Sequence, residues 1–345
     1  MSMPRAEITG WGKYVPTKVL TNDDLAKMVD TSDEWITART GIKERRIRTD
    51  NDTTTSMACA AARDAMTVAG LTAADIDLIV VANSSPDYLL PAPSNYIQHE
   101  LGAKCPALTV AAGCSGFVYA LVTASQFIQT GAYKNIVVIG VELISYALDY
   151  TDRSTCILFG DAAAAVVIQP SQSDAGILNF ELGSDGGLAH HLWVPGGGTR
   201  NPLSQSVVDK REMYIRMNGQ EVFKFATRKF TTCLKNITAS AGMTPADLDL
   251  IIPHQANLRI IEYAAGLLQL PMDKFFVNLH KYGNTSAASI PLALVEAIEE
   301  GRVKPGDVTG MVAFGSGLSW AGVVIRMGEA VAKAMQVADV EGVVA

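Results

Sequence analysis

No two of the five cysteines, at positions 59, 105, 114, 156 and 233, are spaced as a CxxC pair. Their odd number and wide separation speak against a disulfide framework and against a cysteine-based zinc site, and they fit a reducing compartment. Basic runs are missing too. The chain has 28 lysines and arginines against 35 acidic residues, a net charge of −7, and no stripe of the kind nucleic-acid-binding proteins carry. No apolar run is long enough to cross a bilayer. The opening MSMPRAEITGWG lacks the apolar core of a secretory signal. The expectation is a soluble, cytoplasmic protein with no nucleic-acid and no membrane partner. Aromatic residues are only 7% of the chain. Alanine, glycine and valine are plentiful instead, which suits helices packed closely on a buried sheet. With 48% hydrophobic and 18% charged residues, the chain can bury a large core and is not disordered. Its 345 residues allow one large domain or two ordinary ones.

Strand-like and helix-like segments alternate. The strand candidates are Leu78–Ala82, Ala107–Ala111, Asn135–Gly140, Ala164–Ile168, Leu250–Pro253 and Gly310–Phe314. Most are near-continuous apolar runs, as expected of strands covered on both faces. Helical patterns lie between them, as in Ser115–Thr130 and Ser286–Glu300. This predicts an α/β fold with mostly parallel pairing. The chain also echoes itself. GLTAADIDLI (70–79) and GMTPADLDLI (242–251) agree at seven of ten positions. Phe159-Gly160 leads to Val166-Val167-Ile168, as Phe314-Gly315 leads to Val323-Val324-Ile325. Three elements repeating in one order favour duplication. The halves are expected at 1–172 and 173–327, sharing one core, with a tail over 328–345 that contains the helix-like stretch EAVAKAMQVA.

Cys114 stands between a strand and a helix in ALTVAAGCSGFVYALVTASQFIQTG, with Gly113 and Gly116 on either side to permit a sharp turn. A thiol at a helix N-terminus meets the positive end of the dipole and free N–H groups, and both favour the thiolate. Cys59, Cys105, Cys156 and Cys233 are expected to be small structural residues. His254 follows the strand Leu250–Pro253 in PHQAN, and Asn284 sits in the glycine-bearing turn of KYGNTSAASIPLAL, with Thr285 or Ser286 placed to cap the next helix. Ends of core elements are where α/β folds build sites. Alone, such a histidine is more often structural and such an asparagine more often turn chemistry. His99, His190, His191 and His280 are given that structural reading.

Taken together, GWGKYVP, NDDLAKMVDTSDEWITARTGIKERRI, GCSGFVYAL, DRSTCILFGDAAAAVV, NGQEVFKFA, PHQANLRII, KYGNTSAASIPLAL and AFGSGLSW resemble the β-ketoacyl-[acyl-carrier-protein] synthase III family over residues 5–327. The resemblance implies the thiolase-like fold, two duplicated halves in a five-layered α-β-α-β-α arrangement, and a homodimer. It places Cys114 as nucleophile with His254 and Asn284 as the other catalytic residues, and the backbone N–H groups of Cys114 and Ser316 as oxyanion hole. The coenzyme A channel maps onto Thr31, Trp35, Arg39, Arg153, Gly219, Phe223, Ala256 and Asn257, with Trp35 and Arg153 sandwiching the adenine. The carrier-protein surface maps onto Lys224 and Gln255, Ala256, Asn257, Leu258 and Arg259. No metal or other cofactor is implied; coenzyme A thioesters are the substrates, namely an acyl-CoA and malonyl-ACP, and acyl carrier protein is the partner.

The implied reaction is a decarboxylative Claisen condensation through an acyl-Cys114 intermediate, the step that initiates fatty-acid synthesis. The asparagine distinguishes this set from thiolase relatives, which use a second cysteine, and from hydroxymethylglutaryl-CoA synthase relatives, which use a glutamate. Some positions depart from the family's usual residues: Thr109, Ala111, Ala162 and Ala164, and EYAAGLLQLP after Arg259, which lacks the family's lysines. Leu90, in DYLLPAP, matches the place where a partner subunit lines the acyl pocket. The departures near Arg259 and Leu90 motivate an alternative, a condensing enzyme of secondary metabolism with another starter or a CoA-bound acceptor. A non-enzymatic alternative, a silent protein that only binds acyl chains or a carrier, is opposed by the intact set of three residues.

Overall fold

The computed structural model describes residues 3–332. Its first sheet has five strands: β1 (Ala6–Tyr14), β2 (Leu78–Ala82), β3 (Ala107–Val110), β4 (Ile136–Leu143) and β5 (Asp161–Pro170), in the order β1-β5-β4-β2-β3. The second has four: β6 (Gly176–Ser184), β7 (Leu250–Pro253), β8 (Val308–Gly315) and β9 (Ser319–Arg326), in the order β7-β8-β9-β6. A parallel bridge from Ile251 to Phe275 extends its β7 edge. Read from β1 and from β6, the two sheets follow the same sequence of neighbours.

The strands are apolar on both faces because both faces are covered. In β2, Ile79 and Val81 point to one side while Leu78, Val80 and Ala82 point to the other. In β7, Ile251 packs outward while Leu250 and Ile252 face the middle. The middle layer is built from α3 (Gly116–Gln129) and α6 (Ser289–Glu299), which follow the two cavity turns described below. The outer layer on the first sheet includes α2 (Thr54–Ala69); on the second it is α4 (Gly219–Ser240) with α5 (Leu258–Leu268). The short helix α1 (Asp33–Thr40) carries Trp35 and Arg39 beside α5. Helix, sheet, helix, sheet, helix is the five-layered thiolase-like arrangement expected from the sequence. The echoed segments also fold alike. Thr72 and Asp75 close a capping box over a single helical turn before β2, and Thr244 and Asp247 do the same before β7.

Two expectations need correction. Pairing is not mostly parallel: β1–β5, β5–β4, β8–β9 and β9–β6 are antiparallel, and only β4–β2, β2–β3 and β7–β8 are parallel. Burial on both faces produces continuous apolar runs whatever the strand direction, so the runs could not report it. Strands β1 and β6 were not among the candidates, because charged and half-exposed residues interrupt them. Of EAVAKAMQVA, Glu329–Val331 form one helical turn, and the part from 333 onward lies outside the described residues.

Candidate active site

Cys114 lies in a tight turn, Gly113–Ser115, that runs directly into α3. Two contacts fix this turn. Gly113 takes φ +54 against Ser316, and a Cβ on Gly315 would stand 2.5 Å from the Cys114 nitrogen. Both positions therefore need glycine, one for its dihedral and both for the close approach. Ser115 Oγ donates to the Ala112 carbonyl at 2.7 Å and meets Ser319 Oγ at 2.7 Å, which ties the turn to the start of β9. Residues from both halves thus hold one cysteine.

His254 stands just past β7. Its N–H donates to the Val312 carbonyl at 2.8 Å. Its Nδ1 is 2.6 Å from Ser289 Oγ at the start of α6, and its ring packs edge-on against Phe314. The ring is buried, and that burial pulls its pKa down to about 3, so it is neutral at neutral pH. Asn284 follows Gly283, which takes φ +64. Its backbone bonds to Leu158 and Gly160, and its Oδ1 accepts from the Ser286 N–H at 2.9 Å. With Oδ1 taken, the amide Nδ2 is the end left for the cavity.

These three residues meet at the floor of one cavity of about 300 Å³, whose wall includes Trp35, Arg39, Gly219, Phe223, Ala256 and Asn257. A second cavity of about 130 Å³ opens on the other side of Cys114, lined by Ser316 and by apolar residues such as Ile144, Ala147, Phe159, Leu192 and Ile215. Cys114 sits where the two join.

The cysteine differs from expectation in one respect. Burial pushes its thiol up to about 12, against the downward pull of a hydrogen bond donated by Ser286. The resting group is a thiol, because desolvating a thiolate outweighs the helix terminus. Ser286 is a second correction. It was expected as a helix cap, but neither it nor Thr285 caps through its side chain. Its hydroxyl lies instead 3.4 Å from Cys114 Sγ and 3.3 Å from Oε1 of the buried Glu142. Glu142 and Ser289 were not among the expected residues, and Ser286 was expected only as a cap. The one available signal was a lone carboxylate within the apolar strand IVVIGVEL.

The other expected site residues divide. Arg39 and Arg153 both lie over the Trp35 ring, at 4.4 and 5.1 Å from its centroid. Arg153 also donates to the Asp30 carbonyl at 2.5 Å. Arg153 and Thr31 do not line the larger cavity. Asn257 caps α5 by accepting from the Arg259 N–H at 2.9 Å, and its amide reaches the Arg39 carbonyl. Lys224 is exposed and pairs with Glu221 at 2.8 Å; Arg259 is exposed; Leu258 packs under Gly41. Gln255 departs from the expected surface role. It is 1% exposed, with its amide bonded to the Pro253 and Phe276 carbonyls and to the Asn278 N–H, so it braces the loop from within. Cys59, Cys156 and Cys233 are buried free thiols and Cys105 a half-buried one. No group of histidines, cysteines and carboxylates among the described residues is arranged to hold a metal ion. No helix among them is long and apolar enough to cross a membrane.

The chain is similar to known proteins over most of its length. Residues 108–186 match the family model described as 3-oxoacyl-[acyl-carrier-protein (ACP)] synthase III, and residues 238–327 match the model of its C-terminal part. A β-ketoacyl-[acyl-carrier-protein] synthase III from Caldanaerobacter subterraneus subsp. tengcongensis is 49% identical over 93% of this chain and 97% of its own length. The crystal structure of 3-oxoacyl-[acyl-carrier-protein] synthase III from Aquifex aeolicus superposes with a TM-score of 0.87 at 47% identity, covering 93% of this chain and 99% of that one. The priming β-ketosynthase of the R1128 polyketide pathway superposes with a TM-score of 0.88 at 33% identity, covering 95% and 98%. Sequence similarity over nearly the full length and a shared architecture lead to one conclusion: this chain belongs to the β-ketoacyl-[acyl-carrier-protein] synthase III family.

Proposed function

We propose that this chain joins an acyl-CoA starter to malonyl-ACP by decarboxylative condensation, with Cys114 carrying the acyl group, as the first step of fatty-acid synthesis. One observation supports this above the others. Cys114 lies at the junction of a large cavity that opens past Trp35 and Arg39 and a smaller apolar one. A thioester entering by the first can place its acyl chain in the second.

The chemistry then proceeds in two stages. Cys114 sulfur attacks the thioester carbonyl, and coenzyme A leaves. The N–H groups of Cys114 and Ser316 receive the developing oxyanion, each contributing about 3 kcal/mol at such a site. The malonyl thioester next takes the same channel. In this reading Ser289 donates to His254 Nδ1, 2.6 Å away, so that the ring proton is on Nε2, and Asn284 offers Nδ2. Both neutral donors meet the malonyl thioester oxygen and stabilise the enolate formed as carbon dioxide departs. The enolate carbon attacks the acyl-cysteine and releases the sulfur.

The arginines at the mouth supply positive charge for coenzyme A phosphates, and adenine binding on Trp35 would displace Arg153 from its ring. Arg259 and Lys224, both exposed, are the basic groups for an acidic carrier. A homodimer belongs to the same reading: Leu89 and Leu90 are each 86% exposed, an apolar tip for a second copy to cover.

The test offers the protein a panel of acyl-CoAs with malonyl-ACP or malonyl-CoA as acceptor and reads products by mass spectrometry. Condensation of a short acyl-CoA with malonyl-ACP, abolished in Cys114→Ala, is the expected result. Product from malonyl-CoA alone would move the enzyme to secondary metabolism. An absence of acyl-Cys114 with every donor would defeat the enzymatic reading.

A further inference from the structure

A buried thiol must lose its proton to act, and the groups around Cys114 differ in their ability to take it. His254 is held neutral by burial and its Nδ1 is engaged by Ser289. On the other side, Ser286 Oγ stands between Cys114 Sγ at 3.4 Å and Glu142 Oε1 at 3.3 Å. A hydroxyl has one proton and cannot donate to both. Two arrangements satisfy all three groups. In the first, Glu142 is ionised, Ser286 donates to it, and the thiol donates to Ser286. In the second, the Glu142 carboxyl donates to Ser286, and Ser286 donates to a Cys114 thiolate. They have the same net charge and differ by two short proton transfers.

We propose that Glu142 is a positioning residue that, through Ser286, takes the proton of Cys114 before acyl transfer and returns it when the sulfur is released. This rests on Cys114 being the nucleophile. In the forward direction the Cys114 S–H breaks, its proton joins Ser286 Oγ, and the Ser286 proton passes to Glu142 Oε1. The sulfur bonds the acyl carbon, and the departing coenzyme A thiolate takes a proton from solvent. After condensation the freed Cys114 thiolate takes the proton back by the same route, which restores the carboxylate.

The surroundings suit this task. Glu142 lies fully buried on β4, and its Oε2 accepts from Ser85 Oγ at 2.5 Å and from the Ser84 N–H at 3.2 Å, so Oε1 is aimed at Ser286. Ser85 is itself fixed by the Leu143 N–H at 2.9 Å. Ser286 takes φ +50, a left-handed conformation uncommon outside glycine, in the turn that also orients Asn284. The titratable groups facing Glu142 are Cys114 across Ser286, Asp161 from β5 and Tyr146 from the turn after β4, with Arg48 acting on Asp161 from outside. Burial, chiefly, and then the Asp161 charge raise Glu142 to about 7 against the hydrogen bonds it accepts, so both of its forms are present near neutral pH.

The test measures alkylation of Cys114 by iodoacetamide against pH, without substrate, by mass spectrometry of the Cys114 peptide; the other cysteines serve as controls. In the wild type the rate rises with a half-point near 7. In Glu142→Gln that step is lost and the rate follows the thiol alone, falling by roughly tenfold for each pH unit of displacement. Ser286→Ala, with Glu142 intact, gives the same loss. A half-point retained in both variants would overturn the proposal, as would a loss by one constant factor at every pH, the mark of a purely structural role. Ser286→Ala decides if Glu142→Gln does not fold. A wild-type profile that shows the step while no acyl-CoA labels Cys114 would defeat the proposed function and leave the relay standing.

Discussion

At Cys114 two effects of opposite sign act on one proton. A helix N-terminus favours the thiolate by about 0.3–1 kcal/mol, or about 2 where partly buried. Displacement of the thiol from 9.0 to about 12 amounts to about 4 kcal/mol in the other direction. Burial prevails, so the helix terminus alone does not make this cysteine reactive and the side chains touching it must contribute. In the proposed reaction His254 and Asn284 act on the malonyl thioester rather than on the thiol. His254→Ala and Asn284→Ala are each expected to form acyl-Cys114 at near wild-type rates. Each is expected to slow condensation by about 10²–10³-fold, the usual loss for one oxyanion donor. Mass spectrometry of the acyl-enzyme and of the product separates the two stages. Equal loss in both would show that these residues serve acylation as well. Since His254 lies at about 3, condensation should show no acid limb near the ordinary histidine value of about 6.5.

At the scale of elements, the turns before α3 and α6 do the positioning. Both bring a polar residue to the cavity floor through close packing against the opposite half. Gly315→Ala is expected to destabilise the protein by about 1–3 kcal/mol, because its Cβ must displace the backbone of the Cys114 turn. It is also expected to slow acylation more than substrate binding. A thermal melt together with acylation kinetics checks both, and a variant with unchanged melt and rate would show that the turn can yield. Leu78–Ala82 and Leu250–Pro253 could be read from sequence to the residue, since a strand buried on both faces leaves an unbroken apolar run between polar ends. Strands β1 and β6 could not, because their half-exposed stretches admit charge. Thr285 and Ser286 looked like helix caps for a sound local reason, and a contact 172 residues away in sequence took the Ser286 hydroxyl instead.

For the molecule as a whole, the buried carboxylate has a consequence for folding. Glu142 titrates near 4.5 when unfolded and near 7 when folded. Its raised value therefore adds stability that is fully present below pH 4.5 and is lost as pH rises through 7. Glu142→Gln removes that dependence. Relative to the wild type, the variant should gain on the order of 3 kcal/mol between pH 4.5 and 8, an upper bound for so buried a group. Melting curves across that range check the sign; a gap that narrows with rising pH would mean that Glu142 is ionised in the folded protein at low pH.

The sequence by itself determined the covered strands and, through the family resemblance, the layers and the roles of the site residues. Hydrophobic periodicity, glycines at sharp turns and polar residues at strand ends are local properties, and they place Cys114, His254 and Asn284 at the ends of core elements before any contact is known. Tertiary structure decided the rest: the direction of strand pairing, the protonation of the cysteine, the inward turn of Gln255, and the meeting of Ser286 with Cys114 and Glu142. Each depends on which groups approach across long stretches of chain and on how completely water is removed around them. Neither quantity is written in a local pattern, because burial and Coulomb energy follow distance in space rather than distance along the sequence.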